Sequence, residues 1–179
     1  MLTCCVTGHR PSGFPFSRDE DDIAYICYRA ALIDEVKFLV KYGCELFIMG
    51  GCYGADLDFA DSVLFAKNIN KDEDTVIELE AALPIPYKRI MDPTPEQEER
   101  EEILFDCDKI TAVCDHYHRG AMQERNRYMV DKSDIVLAIW NGTKKGGTWN
   151  TIKYALSKGK KVRYIMLNDI VAEASKLLK

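Results

Sequence analysis

Short, almost continuously apolar runs alternate along this chain with longer stretches in which apolar residues recur every three or four positions. Leu2 to Thr7 and Glu45 to Met49 are runs of the first kind, and they end at Gly8 and at Gly50 and Gly51, which predicts two buried strands. Between them Ile23, Ile26, Cys27, Ala30, Ile33, Val36, Leu39 and Val40 follow helical spacing, with Gly43 as the C-terminal stop. The unit then repeats, with a helix over Ala55 to Ala66 and a strand over Val76 to Leu83 closed by Pro84 and Pro86. Pro93 and Pro95 open a helix whose acidic run, Glu96 to Glu102, reads as a solvated face. A short strand (Ile110 to Val113), a helix (Gly120 to Asp131), a strong strand (Asp134 to Trp140), a helix (Thr148 to Ser157) and a last strand (Val162 to Leu167) follow, and Asp169 is expected to cap a C-terminal helix.

Parallel strands need long crossovers that are usually helical, and strands covered on both faces read as continuous apolar runs. The pattern therefore predicts an α/β fold, a single Rossmann-like domain over residues 1–179 with a mostly parallel sheet and helices on both faces. In such sheets ligands bind outside the carboxyl ends of the strands.

Composition narrows the classes. With 47% hydrophobic and 30% charged residues the chain is neither disordered nor membranous, and no apolar run approaches the roughly 20 residues that would cross a bilayer. The seven cysteines are odd in number and scattered through the elements, and Met1 to Thr7 has no basic leader, so reduced thiols and a cytoplasmic location are expected. A net charge of -5 argues against a broad nucleic-acid-binding face.

Gly50, Gly51 and Gly54, in M-G-G-C-Y-G-A-D, follow a strand and precede a helix, where absent side chains let the backbone approach an anion and the helix supplies free amides. A second loop, N-G-T-K-K-G-G-T-W, has the same placement, so the two are expected to share one phosphate-bearing ligand, held near Gly50, Gly51, Gly146 and Gly147. Gly8, His9 and Arg10 leave the first strand at the same edge, and Arg125 and Asn126 lie near the start of the helix over Gly120 to Asp131. Arg125 is expected to be partly exposed, to pair with phosphate, and to be dispensable for folding. Trp140 and Trp149 flank the second loop, where one could stack on a base or both could be buried. Cys107, Cys114, Asp115, His116 and His118 match no zinc spacing, so neither a metal nor any other cofactor is expected. Adjacent Cys4 and Cys5 point to opposite faces of a strand and read as core.

T-G-H-R-P at Thr7 to Pro11, G-G-C-Y-G-A-D at Gly50 to Asp56, M-Q-E-R-N at Met122 to Asn126, S-D-I-V-L-A-I-W at Ser133 to Trp140 and G-G-T-W-N-T at Gly146 to Thr151 together resemble the SLOG superfamily. The branch they resemble is that of the YpsA and YoqJ-like proteins of bacteria and phages. The resemblance implies a nucleotide-related ligand, with Gly8, His9, Arg10, Gly50, Gly51, Gly54, Ala55, Asp56, Arg125, Asn126, Gly146, Gly147, Thr148 and Thr151 as candidate binding residues. It is also compatible with a homodimer, since relatives often self-associate.

In the superfamily's phosphoribohydrolases, the Lonely Guy proteins, an arginine in M-x-x-R-K and a glutamate in P-G-G-x-G-T-x-x-E serve binding and catalysis. Arg125 matches the arginine, but Asn126 replaces the lysine, and the stretch from Gly146 to Lys153 has no carboxylate where the glutamate belongs. A positioned carboxylate stabilises an oxocarbenium-like transition state or activates water, and Asp56 and Glu124 are the nearby candidates for that role. The expectation is therefore binding or sensing of a phosphorylated nucleotide or derivative, of the ADP-ribose or nucleoside monophosphate class. A nucleotide N-glycosidase is the first alternative, and a single-stranded DNA-binding protein, like the superfamily's DNA-processing protein A, is the second.

Overall fold

The structure, a computed structural model, describes residues 1–70 and 75–178. Six strands, β1 (Leu2–Gly8), β2 (Cys44–Met49), β3 (Glu78–Leu83), β4 (Lys109–Ala112), β5 (Ile135–Trp140) and β6 (Lys161–Met166), form one sheet in the order β4-β3-β2-β1-β5-β6. Every neighbouring pair is parallel, so the sheet is wholly rather than mostly parallel. The helices are α1 (Ile23–Lys41), α2 (Ala55–Ile69), α3 (Pro95–Asp106), α4 (Ala121–Lys132), α5 (Gly146–Ser157) and α6 (Leu167–Leu177). The α/β Rossmann-like architecture expected from the alternation is the one observed.

From β1 to β4 the chain steps one way across the sheet, and after β4 it returns to place β5 and β6 on the other side of β1. Right-handed crossovers turn that reversal into two helical layers. On one face α1 packs against α2 and α6, and α2 against α3, while on the other α4 packs against α5. The larger core lies under the first layer, where Cys4, Leu79 and Leu137 meet Tyr28, Leu32, Val36, Phe59 and Val63. The smaller core sets Cys5, Ile48, Ala82 and Val136 against Met129, Val130 and Ala155. Cys4 and Cys5 thus divide between the faces as strand alternation requires. Burial pushes the Cys5 thiol up to about 12, which keeps it protonated, and all seven cysteines are free.

Local signals fix the helix ends. Asp22 caps α1 by accepting from the amides of Ala24 (2.8 Å) and Tyr25 (3.4 Å). Thr94 and Gln97 form a capping box on α3, with Pro95 in its first turn. Two expectations change. Asp169 does not cap α6, which starts after Met166 and holds Asp169 in its first turn, where a carboxylate still favours the helix dipole. The acidic run of α3 is only partly a solvated face, because Glu99 pairs with Arg18 at 2.9 Å and Glu101 accepts from the Tyr87 hydroxyl and the Ile90 amide. Among the described residues no helix is long and apolar enough to cross a membrane.

Two buried carboxylates brace the layers. Asp58, on α2, is enclosed by Arg18 (2.6 Å), Arg29 (3.3 Å) and the Tyr25 hydroxyl (3.1 Å). Glu80, in the middle of β3, accepts from the hydroxyls of Tyr128 (2.6 Å) and Thr111 (2.7 Å) and pairs with Lys132 (3.3 Å) and Lys109 (3.5 Å). Burial on its own would raise the Glu80 pKa, but those four partners outweigh it and hold the carboxyl below its ordinary value.

A depressed carboxylate contributes stability above its unfolded-state pKa and loses it as the pH falls through the folded-state value. Glu80→Gln should therefore destabilise the protein by about 1–3 kcal/mol at neutral pH. The gap from wild type should close as the pH drops below about 4.3, the ordinary glutamate value. Urea unfolding at a series of pH values checks this, and a gap of constant size down to low pH would count against it.

Candidate switch-point site

The sheet reverses its winding between β1 and β5, which is where open α/β sheets leave a crevice at their strand ends. A crevice of about 530 Å³ opens there, and its walls include Gly8, His9, Arg10, Asp56, Arg125 and Gly147. That volume suits a small molecule. A second hollow, of about 500 Å³ and including Gly50, Gly51, Tyr53 and Arg100, adjoins it through Arg10, Ser12, Cys52 and Met122. A larger hollow of about 710 Å³ lies between α3 and the edge strand β4, around Tyr87, Phe105 and Ile110, away from the switch point and from the glycine loops. Both glycine loops thus reach the same edge of the sheet, as their shared placement after strands predicts.

At the end of β1, close packing sets the backbone. A Cβ on Gly8 would overlap the Cβ of Ala55, whose amide donates to the His9 carbonyl at 3.1 Å. The Thr148 hydroxyl donates to the Gly8 carbonyl at 2.9 Å. Gly8, Ala55 and Thr148 thereby lock β1 to the starts of α2 and α5. His9 packs its ring against Gly13 and leaves Nε2 buried with no hydrogen-bond partner. Burial lowers its pKa, a hydrogen bond with Asn141 working the other way, so the ring is neutral at neutral pH. Arg10 is exposed and borders both hollows.

The loop from β2 to α2 uses its own anion. Gly54 has φ +104, which only glycine adopts readily, and this turns the chain so that Asp56, in the first turn of α2, faces back along the loop. Its carboxylate accepts from the amides of Cys52 (3.1 Å) and Gly50. Burial raises the Asp56 pKa, and the Arg125 cation and these two amides offset only part of the rise.

Arg125 holds this arrangement from the opposite layer. Its Nη1 donates to the Gly50 carbonyl and lies 3.8 Å from Asp56, and Nη2 lies 3.4 Å from the Cys52 sulfur. A Cβ on Gly50 would fall inside the guanidinium. The expectation of a partly exposed Arg125 is therefore corrected: the residue is 4% exposed, and two of its three guanidinium nitrogens donate to the protein. Only its Nε is buried without a partner.

The second loop is different. Asn126 donates to the Thr151 hydroxyl (3.1 Å), which donates to the Gly147 carbonyl (3.0 Å), so these two residues shape the start of α5. Gly146 and Gly147 themselves are exposed, α5 has no side-chain cap, and a Cβ at either glycine would meet no atom within 4 Å. Glu124, the second catalytic candidate, is not among the residues that line the crevice and turns instead to Cys114 and His118. Ser12, Gln123 and Asn150 do line it and were not anticipated from the sequence. Asn150 was legible in retrospect, since it lies one helical turn beyond Gly147 and so on the same side of α5.

This is a doubly wound α/β protein with a switch-point crevice walled by two glycine loops. The chain belongs to the YpsA family, described as the YspA SLOG family, whose profile matches residues 4–170. It is similar to a UPF0398 protein of Bacillus pumilus (strain SAFR-032), 26% identical over 97% of this chain and 92% of that one. A UPF0398 protein of Bacillus cereus (strain G9842) is 24% identical over 92% of this chain and 88% of its own length. Among solved structures, DNA processing protein A from Helicobacter pylori, described for its single-stranded DNA binding mode, superposes with a TM-score of 0.57 over 99% of this chain and 80% of that one. At 16% identity that likeness shows the fold.

Arg125→Ala should destabilise the protein by roughly 3 kcal/mol, because it strips a buried carboxylate and a buried carbonyl of their cation. Arg125→Lys should recover little, since an ammonium cannot reproduce the fork of donors. Chemical denaturation of both variants measures this, and wild-type stability in Arg125→Ala would refute the bracing role.

Proposed function

We infer that the protein binds a phosphorylated nucleotide or nucleotide derivative, of the ADP-ribose or nucleoside monophosphate class, in the switch-point crevice. The observation that carries this is the inequality of the two glycine loops. Two amides of the first, those of Gly50 and Cys52, are donated to Asp56, whereas the first turn of α5, at Gly146 and Gly147, has neither cap nor cover and borders the crevice. An uncapped helix start with a favourable dipole is suited to phosphate. The exposed Arg10 supplies a cation on the same wall, and the unpartnered Nε2 of His9 and Nε of Arg125 lie buried just behind it. Membership of the YspA SLOG family fits a nucleotide-related ligand.

An enzymatic reading rests on Asp56, a crevice carboxyl with a raised pKa, as a proton donor to a leaving base. Its carboxylate is already engaged by two amides and a guanidinium, which favours the structural role and hence binding without cleavage. The single-stranded DNA binding ascribed to the Helicobacter pylori protein would use the same α5 amides, against the net charge of -5.

Calorimetry with ADP-ribose, nucleoside monophosphates, the matching nucleosides and a short oligonucleotide tests these readings together. Nucleotides should bind, nucleosides far more weakly. Gly147→Asp should lower nucleotide affinity by about tenfold or more, equivalent to about 1.4 kcal/mol, by putting a carboxylate where phosphate would lie. It should leave thermal stability unchanged, because the position is open and an acid suits a helix start. Equal affinity for nucleotide and nucleoside, or no effect of Gly147→Asp, would refute the phosphate site. Chromatographic detection of free base, abolished in Asp56→Asn, would establish the enzyme instead.

A further inference from the structure

The two sides of α4 present different chemistry. With about 3.6 residues per turn, Glu124 faces away from Met122 and Asn126, which border the crevice. It points toward the segment that joins β4 to α4. There the Cys114 sulfur lies 3.5 Å from one Glu124 carboxylate oxygen and the His118 Nε2 lies 3.6 Å from the other, and one donor atom from each residue falls within 4.8 Å of the other two.

We propose that Cys114, His118 and Glu124 form a binding site for a zinc-class divalent ion. Bonds of about 2.3 Å to sulfur and about 2.0–2.1 Å to nitrogen and oxygen, at tetrahedral angles, separate the donors by about 3.3–3.6 Å. The sulfur and the imidazole nitrogen approach different oxygens of Glu124, at 3.5 and 3.6 Å, and with one atom from each residue the set spans no more than 4.8 Å, so a turn of the carboxylate and a small side-chain shift bring the three donors to that spacing. A thiol and an imidazole select the softer transition ions and disfavour magnesium and calcium, which prefer oxygen alone. Three protein donors leave the fourth position to water, and the half-buried Cys114 and His118 with the exposed Glu124 leave a path for it.

Cys107 is not part of the group, because its thiol donates to the Ile103 carbonyl at 3.3 Å. The sequence grouping of Cys107, Cys114, Asp115, His116 and His118 therefore failed to suggest a metal because it lacked Glu124, which the start of α4 brings in. Without metal, the Cys114 thiol donates to Glu124, and the Gly120 amide donates to His118 Nδ1 at 3.2 Å, which leaves the imidazole proton on Nε2 facing Glu124. Loading releases the thiol proton to solvent and moves the imidazole proton from Nε2 to Nδ1. The Gly120 contact gives way, and the ring remains neutral.

The test titrates the full-length, metal-stripped protein with cobalt(II) under reducing conditions. The expected result is one ion per chain with a thiolate-to-cobalt charge-transfer band, bleached by zinc and untouched by magnesium. Cys114→Ser should abolish the band, and His118→Gln and Glu124→Gln should each weaken binding by about tenfold or more. Circular dichroism confirms that each variant is folded. His118 provides a second readout, since nuclear magnetic resonance of its ring should report Nε2 protonated before loading and Nδ1 protonated after. Absence of the band, its survival in Cys114→Ser, or unchanged affinity in both other variants would overturn the proposal.

Discussion

A single buried guanidinium joins the two helical layers at the strand ends. Arg125 starts on α4, in the layer packed against Cys5 and Val136, and reaches the Gly50 carbonyl and Asp56, which belong to the end of β2 and the start of α2. Burying an ion costs several kcal/mol unless its partners are close and well oriented. Here a carbonyl and a carboxylate meet that cost, and in return the cation lets Asp56 remain inside and bind two loop amides. The shape of the crevice wall follows: Gly50 must lack a side chain, Asp56 must face backward, and the first glycine loop is closed upon itself.

The fold was legible because each level of the sequence agreed. Parallel strands covered on both faces leave near-continuous apolar runs, and proline, glycine and acid-cap signals bounded the helices within a few residues. The candidate site was legible only in outline. Two glycine loops of similar spelling look equivalent in sequence, yet which amides stay free depends on where Asp56 turns, and that is set by one backbone angle at Gly54 and by a partner some 70 residues away. The burial of Arg125 has a local sign in the helical spacing. It lies four residues after Ala121 and four before Met129, so it shares their buried stripe. Glu80 likewise stands between Leu79 and Ala81 in a strand that buries both faces, where a carboxylate requires dedicated partners.

Substitution of one residue for another also acquires a reason. Where the superfamily's phosphoribohydrolases follow the motif arginine with lysine, this chain has Asn126, and the amide donates to Thr151 and through it holds the first turn of α5. A lysine ammonium can donate to the same hydroxyl but would bring a charge to the half-buried seam between α4 and α5. The departure from the hydrolase motif thus coincides with a hydrogen-bonded relay that shapes the open helix start.

Trp140 ends β5 and Trp149 lies in the first turn of α5, and their rings stack 5.4 Å apart at 9°. The chain has no other tryptophan. Its indole fluorescence therefore arises from one stacked pair bound to the second glycine loop, with the Lys144 ammonium 5.8 Å from the Trp149 ring. The molecule carries its own optical reporter beside the second glycine loop, on the side of α5 that packs toward β6, and emission excited at the red edge of the protein band describes that corner of the structure and no other.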